Sequence, residues 1–293
     1  MSWNSPVIDD RDFSSLTFMD KFSLAFALTR SYGVKVLGAV LGISLGVGLL
    51  VGLFVVLFAG AASTSGGSFD SFGPIAVLLT LVLVLVALVV MLLVLPMLGI
   101  GLKYMVLHYV NGEEPEGGLM GALGAPWSRL GLFVLCMLLL FAVNMAVQMV
   151  LSILGIIPFL NILLVPPLYI LYYMFYNCSV TYMADRGLYR GDMTDPTHAI
   201  AGPLKIIKNN FKIWICSYLA MMAIYLPSLI LVVVGSIFMN SSAALGLIVM
   251  LAGIILVLPV SVFDLFFMTV TYKQTSIIEE NTNGAGNLPR VFE

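Results

Sequence analysis

The sequence predicts an all-α integral membrane protein with six transmembrane helices in three hairpin repeats. Three observations point there: very little charge, long unbroken apolar runs, and basic residues confined to alternate connections. Residues of the hydrophobic set make up 61% of the 293-residue chain and charged residues 10%. A soluble domain carries about 25% charged residues. So little charge cannot cover a water-facing surface. A membrane-crossing helix needs about 20 apolar residues, whereas a barrel shows short alternating segments. The apolar runs here are long, which selects helices.

Spans are expected at 34–60, 74–102, 131–154, 157–181, 211–238 and 244–272, each long enough to cross a hydrocarbon layer about 30 Å thick with some tilt. The connections alternate in character. Segments 61–73, 155–161 and 239–243 hold no Lys or Arg, while 1–33, 103–130, 182–210 and 273–293 hold eleven of the 13. The cation-bearing side is called the near side below. By the positive-inside rule it is cytoplasmic, with both termini there and the chain multi-pass in a plasma (inner) membrane. The start, Met1 to Ser15, is polar and acidic. A cleavable signal peptide opens basic and then apolar, so the first helices are expected to stay in the mature protein.

The even-numbered spans end alike. They close with Met105-Val106-Leu107-His108-Tyr109, Cys178-Ser179-Val180-Thr181-Tyr182 and Met268-Thr269-Val270-Thr271-Tyr272. Pro96 lies thirteen residues before Tyr109 and Pro259 thirteen before Tyr272, with Pro166 and Pro167 at a similar depth in the fourth span. The units also begin alike, with a near-side segment of helical period. Phe18, Phe22 and Phe26 recur in the first, Leu119, Leu123, Trp127 and Leu130 in the second, and Ile200, Leu204, Ile207 and Phe211 in the third. Lys205, Lys208 and Lys212 lie opposite the last set. Such patterns suit amphipathic helices in the membrane interface, with Phe22, Trp127, Phe211, Lys205 and Lys208 as anchors. Pro126 and Pro203 are expected to interrupt or kink the second and third. The chain then reads as one membrane domain, 1–293, of three units near 14–110, 117–185 and 196–275, with polar tails 1–13 and 276–293. Like-oriented hairpins make a parallel repeat.

This layout resembles a loose group of bacterial membrane proteins of unknown function, which includes the membrane domain of some glycerophosphodiester phosphodiesterases. The resemblance implies a polytopic membrane domain. No soluble phosphodiesterase domain accompanies it in the sequence, so that activity is not implied.

Candidate sites are few. Gly38, Gly42 and Gly46, followed by Gly48 and Gly52, give the first span a small-residue face. In lipid such a face lets helices approach closely, either within the chain or against a partner. Asp264 is the acidic residue well inside a span. An intramembrane carboxylate is costly, so it is either a cation or proton site or a hydrogen-bonded structural group, and no deep Lys or Arg is expected to pair with it. Asn144, Gln148 and Ser152 share one face of the third span and either line a polar path or bond between helices. Cys136, Cys178 and Cys216 have no metal spacing, and His108 and His198 have none either. Phosphate-binding Gly-Lys, paired-His and nucleophile-elbow motifs are missing from the sequence. No catalytic residue, metal or cofactor is expected, and no enzymatic role. The expected partners are the lipid bilayer and either another protein or a second copy, not nucleic acid. The leading expectation is a non-catalytic scaffold or accessory subunit of a membrane complex. The alternatives are a transporter or channel for a lipid or other small apolar substrate, and a membrane-shaping or lipid-sensing protein.

Overall fold

The computed structural model describes residues 13–64, 81, 82, 85, 93–156, 158–240 and 242–287. Among these the chain is helical, with no strand. The helices are α1 (Phe18–Thr64), α2 (Leu95–Val110), α3 (Gly118–Gly124), α4 (Leu130–Gly155), α5 (Pro158–Tyr182), α6 (His198–Asn209), α7 (Phe211–Phe238) and α8 (Ala243–Asn287). A 3₁₀ segment, Ala125–Arg129, joins α3 to α4, and a π-helical segment, Met183–Tyr189, extends α5. Five described segments are long and apolar enough to cross a membrane: Phe18–Gly46, Gly118–Gly155, Leu163–Tyr189, Phe211–Phe238 and Ala243–Thr282. They imply a polytopic chain in contact with a bilayer. Most of the expected second span, 74–102, lies outside the described residues, and its near end is the start of α2.

Helices form here because a segment surrounded by hydrocarbon must satisfy its own backbone groups. The near-side connections are where the sequence interrupts them. Gly117 and Gly118 take left-handed φ values of 71° and 61°, which turn the chain into α3. Pro126 sits in the 3₁₀ segment, where α3 gives way to α4. Pro203 lies inside α6 without interrupting it. That helix runs unbroken to Asn209, and the chain turns at Asn210 (φ −120°, ψ 30°). Arg129 makes the matching corner before α4 (φ −122°, ψ 37°). The first unit has no such corner, since α1 passes from its amphipathic start into its span as one helix of 47 residues. The stretch expected as a polar tail is also helical, because α8 continues through 276–287.

α8 is the hub. It packs along α7 and α1 and also touches α2, α5 and α6. The near-side parts of the even-numbered spans, α2, α5 and α8, touch one another pairwise. Around them the lead-ins are displaced by one position. α3 packs on α2, α6 on α5, and the start of α1 on α8. Glycines permit two of these contacts. A Cβ on Gly101 would come within 2.8 Å of the Ala122 carbonyl, and one on Gly202 within 2.5 Å of the Tyr182 ring. In the third, Phe22 lies 5.0 Å from Phe263, ring to ring.

The glycines of α1 behave otherwise. A Cβ added to Gly38, Gly42, Gly46, Gly48 or Gly52 meets no atom within 4 Å. Gly38, Gly42 and Gly46 instead edge an apolar groove of about 390 Å³ shared with α2 and α3. Close backbone approach occurs in the α7–α8 hairpin. There a Cβ on Gly246 would sit 2.5 Å from the Met239 nitrogen and 2.8 Å from the Gly235 carbonyl.

Candidate functional site

Polar side chains gather in two places, both fed by α2, α5 and α8. The first lies at the near-side ends of these helices. Widening of α5 into its π segment presents Asp185 to α8, where its carboxylate accepts a hydrogen bond from the Tyr272 hydroxyl at 2.9 Å. Arg190, just past that segment, donates to Asp185 at 3.2 Å and to Glu280 at 2.9 Å. Arg186 also binds Glu280, and reaches Asp192 at 2.6 Å. Lys273 donates to the Asn111 carboxamide after α2 and lies 4.4 Å from the centre of the Phe13 ring. The Tyr189 hydroxyl donates to Glu113 at 3.2 Å, and Lys35 of α1 pairs with Glu114 at 2.6 Å. The acidic loop at 113–116 is thereby tied to two other parts of the chain. Partial burial opposes the charge on Arg190, but the carboxylates of Asp185 and Glu280 outweigh it and hold the guanidinium above its ordinary value. These groups frame a pocket of about 340 Å³ lined by Asn111, Asp185, Tyr189, Arg190, Lys273 and Glu280, among others.

The second gathering lies at span depth. Asp264 is 8% exposed. The Tyr225 hydroxyl, which donates to Ser261 at 3.3 Å, lies close to it. Tyr173 and Tyr218, with ring centres 5.4 Å apart, interact with it electrostatically. So does Lys103 of α2, although no direct ion pair closes. The expectation that Asp264 has no deep cation near it is therefore corrected. The apolar run was cut at residue 102, which placed Lys103 in the next connection, whereas α2 carries it inward and buries it. A second buried lysine, Lys21, donates to Ser217 at 3.2 Å, and Thr271 meets the same hydroxyl at 3.2 Å.

The other expected residues are scattered. The Gln148 carboxamide reaches the Tyr169 hydroxyl at 3.4 Å, a bond between α4 and α5. Asn144 is half-buried one turn away. Neither shares a described partner with Asp264. Of the expected interfacial anchors, Trp127, Phe211 and Lys208 are exposed. Phe22 is half-buried, with its ring against Phe263 and Phe267, because the start of α1 lies on α8. Lys205 pairs with Glu279 at 3.0 Å. Asp185, Arg190 and Glu280 were missed because they read as loop and tail. The helical spacing of Tyr272, Ser276 and Glu280 could have marked a polar face continuing past the span.

Chemically, the carboxylates and cations of the near-side network bind one another, with the Arg186 Nε left buried and without a hydrogen-bond partner. Among the described residues, no three His, Cys, Asp or Glu side chains gather in a way that could hold a metal. No protein-family model matches the chain, and neither a curated protein nor a solved structure matches it.

Proposed function

We propose that this chain is a non-catalytic membrane scaffold or accessory subunit, with six spans in three like units around a pseudo-threefold axis. Its near side is cytoplasmic and carries the docking surface for a protein partner. The observation behind this reading is the near-side network. It ties the ends of α2, α5 and α8 through Asp185–Tyr272, Arg190–Glu280 and Lys273–Asn111. A site built for turnover keeps a reactive group poised and accessible, whereas here the charged groups are spent on one another. The result is a stiff polar plate over three helices, suited to presenting a fixed surface. The units are supported by the displaced packing of the lead-ins and by the matching corners at Arg129 and Asn210. The orientation rests on the distribution of Lys and Arg.

Affinity capture of the full chain from its native membrane in mild detergent tests this. The expected result is one protein recovered in stoichiometric amount, released when the exposed pair Lys35 and Glu114 is charge-reversed together with Asp192. Recovery of the chain alone, with solute flux through purified chain in liposomes, would replace the scaffold with a transporter. That second reading draws its support from the buried Lys103 and Asp264.

A further inference from the structure

Lys103 is 4% exposed, and its Nζ is shielded from solvent without a hydrogen-bond acceptor. Asp264 lies near enough to act on it electrostatically but does not satisfy it. Seven residues separate Lys103 from Val110, so it lies about 10 Å inside the near end of α2. A cation at that depth calls for an anionic partner or a path to water.

A pocket of about 320 Å³ adjoins it, between α2, α5 and α8. Leu95, Leu102, Val180 and Leu265 line it with hydrocarbon, and the stem of Lys103 forms part of the wall. Tyr176, 36% exposed, is among the residues that line it. Gly99 leaves the wall open, since a Cβ there meets nothing within 4 Å. The pocket is thus mostly apolar, with Tyr176 and Asn177 as its polar side chains and Lys103 in its wall, which is the complement of a chain-bearing anion.

We propose that this pocket holds the carboxylate end of a single-chain fatty acid, with Lys103 as its counter-cation and the apolar walls against its upper chain. Rotation about the flexible lysine stem brings Nζ to the opening. Size and depth select this occupant. The volume equals roughly ten water-sized groups, enough for a head and part of one chain but not for a two-chain lipid. A phosphate headgroup stays in the interface, about 10 Å away along α2. The inference does not depend on the scaffold reading: a bound acid would serve a scaffold or a transporter alike, and the test below needs no protein partner.

The test is a titration of the full chain in nanodiscs with oleate labelled by ¹³C at the carboxyl, read by its carbon resonance and by native mass spectrometry. One equivalent is expected to bind, with a carboxyl shift different from that of free oleate in the bilayer. Lys103→Met is expected to weaken binding at least tenfold. Gly99→Leu fills the pocket without altering the charge and is expected to do the same at an unchanged melting temperature. It keeps the test intact if Lys103→Met does not fold. Oleyl alcohol, with the same chain and no charge, is expected to bind at least tenfold more weakly, and neither phosphatidylglycerol nor inorganic phosphate to displace oleate. Absence of a bound equivalent, equal binding by the variants, equal binding of the alcohol, or displacement by either phosphate compound would overturn the proposal.

Discussion

The two halves of α8 differ in what surrounds them. From Ala243 to Leu256 the helix is leucine- and isoleucine-rich and largely exposed, with Ile248 and Ile255 both near two-thirds exposed at 65% and 64%. From Val262 to Ile277 nearly every residue is buried, and many are polar: Asp264, Thr269, Thr271, Gln274, Thr275 and Ser276. In water the apolar half would be the interior and the polar half the surface. The inversion is what a bilayer imposes, because lipid tails solvate leucine as well as a protein core does, while hydroxyls and charges need partners that only other helices supply. The far half is held by backbone proximity, with Gly246 of α8 close against Gly235 and Met239 at the end of α7. The near half is held by side chains.

Changes that attack each mode of cohesion separately can break or sharpen this contrast. The largest effect is expected at the hairpin glycines. Gly246→Val drives methyl groups into the backbone at Met239 and Gly235, and is expected to cost about 3 kcal/mol, read as a fall in melting temperature in detergent. Gly42→Val, on the open face of α1, is expected to leave that temperature unchanged within error, and an equal fall for both would erase the distinction. Next comes Asp185→Ala, which strips the acceptor from Tyr272 and Arg190. The expected cost is roughly 2–3 kcal/mol, below the full value for a broken buried pair because Arg190 is partly exposed. Faster hydrogen exchange is expected in the near half of α8 but not in the far half. Tyr272→Phe removes only the hydroxyl and should cost about 1 kcal/mol on the same assay. The smallest effect concerns Asp195, whose carboxyl is held below its ordinary value by the backbone N–H and hydroxyl of Thr197. A depressed carboxyl contributes above its unfolded value and loses that contribution as pH falls through the lowered folded one. Exchange at the first amides of α6 should therefore rise below about pH 4 in the native chain, and be insensitive to that change in Asp195→Ala.

Much of this architecture was legible in the sequence, and the reasons for the rest are specific. Hydropathy picked out the five long apolar helices of the described residues because helices in lipid must be long and apolar. The closing tyrosines marked the ends of α2 and α5 to within a residue, whereas α8 runs on past Tyr272 to Asn287. Hydropathy could not place Lys103, since a window that stops at the first charge ends the helix one residue too early. The small-residue stripe of Gly38, Gly42 and Gly46 announced space without saying what, if anything, fills it. The π segment at Met183–Tyr189 has no local signature, yet it aims Asp185 at Tyr272. Glu279 and Glu280 looked like solvent because their partners, Lys205, Asn209, Arg186 and Arg190, come from more than seventy residues upstream in most cases.

Pro259 lies at the seam between the two halves of α8. Having no N–H, it leaves the Ile255 carbonyl without its helical bond, and its ring crowds the preceding turn. The rod is therefore weakest where its surroundings change from lipid to protein. A pull on the near-side end travels through a clamped shaft as far as Val262. Beyond Pro259 it meets a gap in the hydrogen-bond ladder, and the far segment leans on α7 through Gly246 and Gly253 with no ion pair among the described residues to carry the load.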